Sequence, residues 1–107
     1  MEPLKEHYRR NGYDYHMVQR NAHTAMFRQA DGRRTVAYEV GWIKVQKEDA
    51  LLPNGTCMPA GERFWGNEDI GRIAYSILDK SRAEQRFNEL ARQRQPLPEP
   101  TDTAALK

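Results

Sequence analysis

The chain has 107 residues, of which 38% are hydrophobic and 30% are charged. This length accommodates one domain with a small core. The sequence has no apolar run of about 18 residues, which a membrane-spanning helix needs. The single cysteine, Cys57, excludes an intramolecular disulfide and a multi-cysteine zinc site. Because the first ten residues are charged and carry no apolar signal segment, we expect a cytoplasmic protein that does not enter a membrane.

The first half of the chain predicts a three-stranded meander. Residues 1–12 are polar and end on the turn pair Asn11-Gly12, so they are predicted to form an N-terminal arm or a short helical turn. Asp31-Gly32 predicts a tight type I′ hairpin. A change in the phase of the apolar positions after Gly41 predicts a β-bulge there. Alternation of apolar and polar residues indicates strands at 13–20, 23–30 and 35–47.

Residues 48–69, the acidic connection, interrupt this pattern. They hold five acidic and one basic side chain, together with scattered prolines and glycines. A long connection in a compact domain is usually functional or disordered. It contains two adjacent bulky aromatics, Phe64 and Trp65, which either close over the core or form an exposed contact.

The last third predicts a strand followed by a helix. Apolar spacing in 70–78 fits either structure, but its helical stripe would point away from that of 83–91, so we predict a strand at 72–78 and a helix at 82–94. A pair of helices is the alternative. Ser81 and Glu84 form a capping-box pattern. The proline-rich residues 95–107 are predicted to be a disordered tail.

These elements predict an α+β fold: an antiparallel sheet of about four strands with one C-terminal helix packed on a face, all within residues 13–94. If the other face stays uncovered, it favours a homodimer. The residues predicted to be buried are Tyr15, Met17, Val36, Tyr38, Val40, Ile73, Tyr75, Ile77, Phe87 and Leu90.

Catalytic chemistry has little support in the sequence. The three histidines have no zinc-site spacing, and Cys57 has no neighbouring histidine. His16 and His23, with Glu39 on the next strand, form the best available acid–base set, and it is a poor one. We therefore expect a protein that is not an enzyme and that uses no metal or cofactor.

Five short stretches carry a resemblance to a group of proteins. They are YEV at 38–40, NEDIG at 67–71, AYS at 74–76, AE at 83–84 and FNEL at 87–90. These stretches lie between residues 38 and 90, about half of the chain, and this part resembles short accessory proteins of bacterial phages and conjugative elements. The resemblance implies a small protein that acts by binding, including as an inhibitor of host defence enzymes.

Two binding hypotheses follow. In the first, the acidic connection docks on another protein, such as a nuclease or regulator, because its negative charge competes with nucleic acid for a basic groove. The contacts would be Phe64, Trp65, Glu62, Glu68 and Asp69. In the second, a basic hairpin binds nucleic acid through phosphate contacts. Its residues would be Arg20, Arg28, Arg33, Arg34, Lys44 and Lys47.

Overall fold

A computed structural model describes residues 2–93 of the chain. Five strands form one antiparallel sheet, in the spatial order β1-β2-β3-β4-β9. Their bounds are His7–Arg10 (β1), Tyr13–Arg20 (β2), Thr24–Asp31 (β3), Arg34–Trp42 (β4) and Ala74–Ile77 (β9). Between β4 and β9 the chain makes two short pairs, Lys44–Gln46 (β5) with Gly61–Arg63 (β8), and Ala50–Leu51 (β6) with Cys57–Met58 (β7). A short 3-10 helix at Asn67–Asp69 precedes β9, and the one α-helix among the described residues, Lys80–Arg92 (α1), follows it. The predicted α+β class is confirmed, with five strands in the main sheet.

The N-terminal segment belongs to the sheet. Residues 7–10 pair with β2 as an edge strand, and Leu4 is buried in the core, so the prediction of an arm at residues 1–12 is wrong. Asn11 and Gly12 have φ values of 56° and 83°. Two positive φ values in a two-residue hairpin loop are what a type I′ turn requires. The Asn-Gly pair was therefore a hairpin signal, and it brings a fifth strand into the sheet.

The predicted meander is confirmed, but two of its local details differ. The turn between β3 and β4 has Gly32 and Arg33 at its centre, and of these two only Gly32 has a positive φ, of 63°, which is not a type I′ turn. The register shift between β3 and β4 places the extra residue at Val36 instead of near Gly41. Strand β4 ends at Trp42, and Ile43 then lies in the core on the other face of the sheet. The apolar positions change phase after Gly41 because Val40 and Trp42 face the core on one side of the sheet and Ile43 faces the core on the other.

Gly41 allows β4 and β9 to approach closely. It pairs with Ala74 of β9, and a Cβ atom at position 41 would lie 2.6 Å from the Ala74 Cβ and 2.7 Å from the Ile73 carbonyl oxygen. Such distances are well inside van der Waals contact, so this position needs a glycine.

Each face of the sheet carries a buried core, so the condition stated for a homodimer, an uncovered apolar face, is not met. On the helix side, the buried residues are Met26, Val40, Trp42, Ala83, Phe87 and Leu90. On the opposite side, which we call the connection side, the N-terminal segment and the chain between β4 and β9 cover the sheet. The buried residues there are Leu4, Tyr15, Ala25, Phe27, Ile43, Trp65 and Ala74.

The helix begins two residues earlier than predicted. Asp79 is its N-cap, and the Asp79 side chain accepts a hydrogen bond of 2.9 Å from the Arg82 backbone N–H. Ser81 lies inside the first turn, so the predicted capping box does not form the cap. The predicted strand at 72–78 is confirmed as β9. The predicted disordered tail, 95–107, lies outside the described residues.

Of the ten predicted core positions, Tyr15, Val40, Phe87 and Leu90 are buried and the other six are half-buried. Four of the largest side chains with less than 2% of their surface exposed are absent from the predicted set. They are Met26, Phe27, Ile43 and Trp65. Strand β3 contributes to both cores because its two faces are both covered.

Candidate functional site

The inner part of the acidic connection packs against the sheet. Trp65 has 0% of its surface exposed, and its indole Nε1–H donates a 2.8 Å hydrogen bond to Glu39 Oε1. Phe64 is half-buried and contacts Phe27 and Tyr8, with ring centroids 4.5 Å and 4.8 Å away. The prediction that Trp65 is an exposed partner contact is therefore wrong. Trp65 closes over the core, which was the other reading of this aromatic pair.

Two of the three predicted acidic contacts hold the connection to the domain. Glu62 accepts hydrogen bonds of 2.7 Å and 3.0 Å from the Arg20 guanidinium and one of 2.8 Å from the Leu4 backbone N–H. The hydrogen bond from Arg20 is the main cause that lowers the pKa of Glu62 below its usual range. This carboxylate is engaged inside the protein, so the structure corrects its assignment as a partner contact.

Asp69, seven residues after Glu62, is held by a similar set of contacts inside the protein. It is 1% exposed and pairs with Lys44 and Arg72, each at 3.0 Å. It also accepts a 2.8 Å hydrogen bond from the Gly66 N–H. Burial alone would raise the pKa of Asp69, but these three donors outweigh it and the pKa is lowered. Asp69 is therefore a structural residue, whereas Glu68 remains exposed.

A buried polar cluster joins Glu39 and Trp65 to Arg10. The Arg10 guanidinium carbon lies 4.5 Å from the Phe64 ring centroid and 5.5 Å from that of Tyr15, and Nη1 donates to the Trp65 carbonyl oxygen at 2.8 Å. Burial raises the pKa of Glu39, although the Trp65 indole and the charge of Arg10 partly oppose this rise. The cluster fixes the connection on the sheet.

The structure does not bring the predicted acid–base set together. Glu39 faces the connection side, beside Trp65. His16 pairs with Arg28 and stacks on His7 on the other face, and His23 lies exposed before β3. Among residues 2–93, no group of three or more His, Cys, Asp or Glu side chains is placed to hold a metal ion.

The outer part of the connection, residues 48–60, forms a projecting hairpin. Strands β6 and β7 pair with each other and neither of the two buried clusters includes a residue from this segment. Its base is held by the Ala60 N–H, which donates to Asp49 Oδ1 at 2.7 Å, and by Gln46, which donates to the Met58 carbonyl oxygen at 3.0 Å. Leu51 is 77% exposed, and Cys57 is an exposed free thiol.

The six predicted basic contacts fall into two groups. Arg20 and Lys44 are engaged with Glu62 and Asp69 on the connection side, so their assignment as phosphate contacts is corrected. The other four, Arg28, Arg33, Arg34 and Lys47, are exposed or half-buried. Of these, Arg34 pairs with Asp31 at 3.3 Å, and Arg28 donates to the Thr35 hydroxyl at 3.3 Å.

Comparison with known proteins adds no relative. No protein-family model matches the chain, and searches of curated proteins and of solved structures find no match. Within the described residues, no helix has the length and apolar character needed to cross a bilayer.

Proposed function

We propose that this chain is a protein-binding module that docks through the projecting hairpin, residues 48–60. One observation carries the proposal. Eight of these thirteen residues are apolar when the two prolines are counted, and none of the thirteen is buried. Single exposed apolar residues are ordinary, but an apolar segment that packs on no core is typical of an interaction site.

The chemistry of the hairpin indicates the chemistry of its partner. Leu51 at 77% exposure can bury most of its side chain in a partner groove, which stabilises a complex by about 1.5–3 kcal/mol. Glu48 and Asp49 stand at the base of the hairpin and give it negative charge. The partner would therefore present an apolar groove with a basic rim, as nucleic-acid-binding enzymes and regulators often do. An inhibitor or accessory protein of a mobile element would fit this role.

The experiment compares two leucines that are equally accessible. Leu51 is 77% exposed and Leu78, between β9 and α1, is 80% exposed. Tagged wild-type protein, Leu51→Ser and Leu78→Ser are used to capture proteins from host cells, with and without nuclease digestion, and the captured proteins are measured by quantitative mass spectrometry. We expect a nuclease-resistant partner whose recovery falls about tenfold with Leu51→Ser, equivalent to about 1.4 kcal/mol.

Leu78→Ser is the control and should capture the partner as wild type does. Equal recovery by Leu51→Ser and wild type would contradict the proposal, and so would an equal loss in both variants. Capture that disappears on nuclease treatment would show that nucleic acid, and not this hairpin, links the proteins.

A further inference from the structure

Part of the helix side of the sheet is left open. Helix α1 packs against β3, β4 and β9, so β1 and β2 carry no helix above them. The residues that face this side on neighbouring strands form a cross-strand row: His7 on β1, His16 on β2, Arg28 on β3 and Tyr38 on β4. We call these four residues, together with Arg9, Asp14 and the turn residues Asp31–Arg34, the basic strip.

The row has a defined arrangement of polar edges. His7 and His16 stack with ring centroids 4.9 Å apart and an angle of 30° between their planes. One ring nitrogen of His7 is already engaged, since its Nε2 lies 2.8 Å from Asp14 Oδ1. Imidazole and guanidinium edges carry N–H donors, which suit phosphate oxygens. Tyr38, half-buried beside Arg28, packs against the helix-side core and marks the inner end of the row.

The net charge of the strip is positive because each of its two carboxylates is already paired with a basic side chain of the strip. Asp14 accepts from His7 at 2.8 Å and from Arg9 at 2.7 Å, and Asp31 pairs with Arg34 at 3.3 Å. Among the described residues, the ion pairs give no carboxylate to Arg28 or to Arg33. Four arginines against two aspartates leave the strip with two uncompensated cations, and these lie at its centre and at its tip.

We infer that the basic strip binds single-stranded nucleic acid through its phosphates, as a second binding activity separate from the hairpin 48–60. The floor between α1 and the edge of the sheet comprises β1 and β2, which is about 10 Å of sheet at the usual strand spacing. That width accommodates the backbone of one nucleic-acid strand beside helix α1, which packs on the rest of this face. Arginines then contact phosphates, and the stacked His7 and His16 rings on this floor can receive an unpaired base, which a duplex does not offer.

The test measures fluorescence anisotropy of a labelled single-stranded DNA of about 16 nucleotides, a length that covers one small binding domain. We expect binding by the full chain at about 50 mM salt, with a slope near −2 in a plot of log affinity against log salt if about three phosphates are contacted. The double variant Arg28→Ala with Arg33→Ala should bind at least tenfold more weakly and with a shallower slope.

The matched control is Lys80→Ala with Arg82→Ala, which removes two exposed charges from the first turn of α1 and should change affinity less than twofold. An equal loss in the control would mean that net charge alone drives binding, and would overturn the inference. Absence of single-strand binding at low salt, or equal affinity for a duplex of the same length, would also overturn it. Leu51→Ser should bind the oligonucleotide as wild type does, which separates this inference from the proposed function.

Discussion

Replacing Trp65 by phenylalanine tests whether the acidic connection is part of the core. The substitution keeps an aromatic ring but removes the indole N–H that bonds Glu39 at 2.8 Å. Leaving a buried carboxyl acceptor without its hydrogen-bond donor costs about 1–3 kcal/mol. The smaller ring also leaves a void of about 40 Å³, which costs about 1 kcal/mol at the usual cavity coefficient. We therefore expect Trp65→Phe to lower the free energy of unfolding by about 3 kcal/mol.

Trp42 provides a matched control on the other face of the sheet. It is 5% exposed, and its hydrogen bond in the structure is made by its backbone N–H to the Ile73 carbonyl. Trp42→Phe creates a similar void without removing a hydrogen bond to a carboxylate, so it should cost about 1 kcal/mol. Urea unfolding followed by circular dichroism gives both values. A loss of about 3 kcal/mol corresponds to a midpoint shift of roughly 1.5–2 M at a typical slope for a small domain.

Two outcomes would refute this reasoning. If the free energy of unfolding of Trp65→Phe lies within about 0.5 kcal/mol of wild type, the substitution behaves like one at the surface. That result would indicate that Trp65 is an exposed contact. A loss no greater than that of Trp42→Phe would show that the hydrogen bond to Glu39 contributes nothing.

Two further predictions concern Glu39 and Gly41. Because the pKa of Glu39 is raised by burial, the folded protein keeps a proton that the unfolded chain has released, and wild type loses stability as the pH rises through this window. The stability of Glu39→Gln relative to wild type should therefore increase as the pH rises above 4.5, the ordinary pKa of a glutamate, as measured by urea unfolding at several pH values, and a constant difference would contradict the raised pKa. Gly41→Ala should cost about 1–3 kcal/mol by overpacking, since its Cβ would lie 2.6 Å from that of Ala74; an unchanged melting temperature would contradict this close approach.

The binding hypotheses depended on which charged residues are free, and local sequence does not contain that information. Glu62 and Arg20 are 42 residues apart in the chain and form a 2.7 Å ion pair. Lys44 and Asp69 are 25 residues apart and do the same at 3.0 Å. In the sequence these four residues belong to an acidic connection and to basic strands, which suggested two opposite surfaces. In the fold they neutralise each other across the connection side.

Trp65 and Phe64 show the same limit for apolar residues. Their polar surroundings in the sequence left both burial and exposure open, because periodicity assigns a face only within a regular strand or helix. What decides the matter is the path of the chain between β4 and β9, which crosses the connection side and lays both rings on Phe27.

The sequence by itself determined the meander, the β9 strand and the C-terminal helix, because alternation, helical spacing and turn residues are local properties. The Asn11-Gly12 pair also indicated a hairpin and therefore β1. The strand was missed because the residues before this pair are polar, and one face of β1 is exposed to solvent. Only the tertiary structure decided that each face of the sheet carries a buried core, that Trp65 lies inside, and that the apolar hairpin 48–60 stays outside. Those outcomes depend on contacts between residues far apart in the chain, which form when a long connection folds back over a sheet.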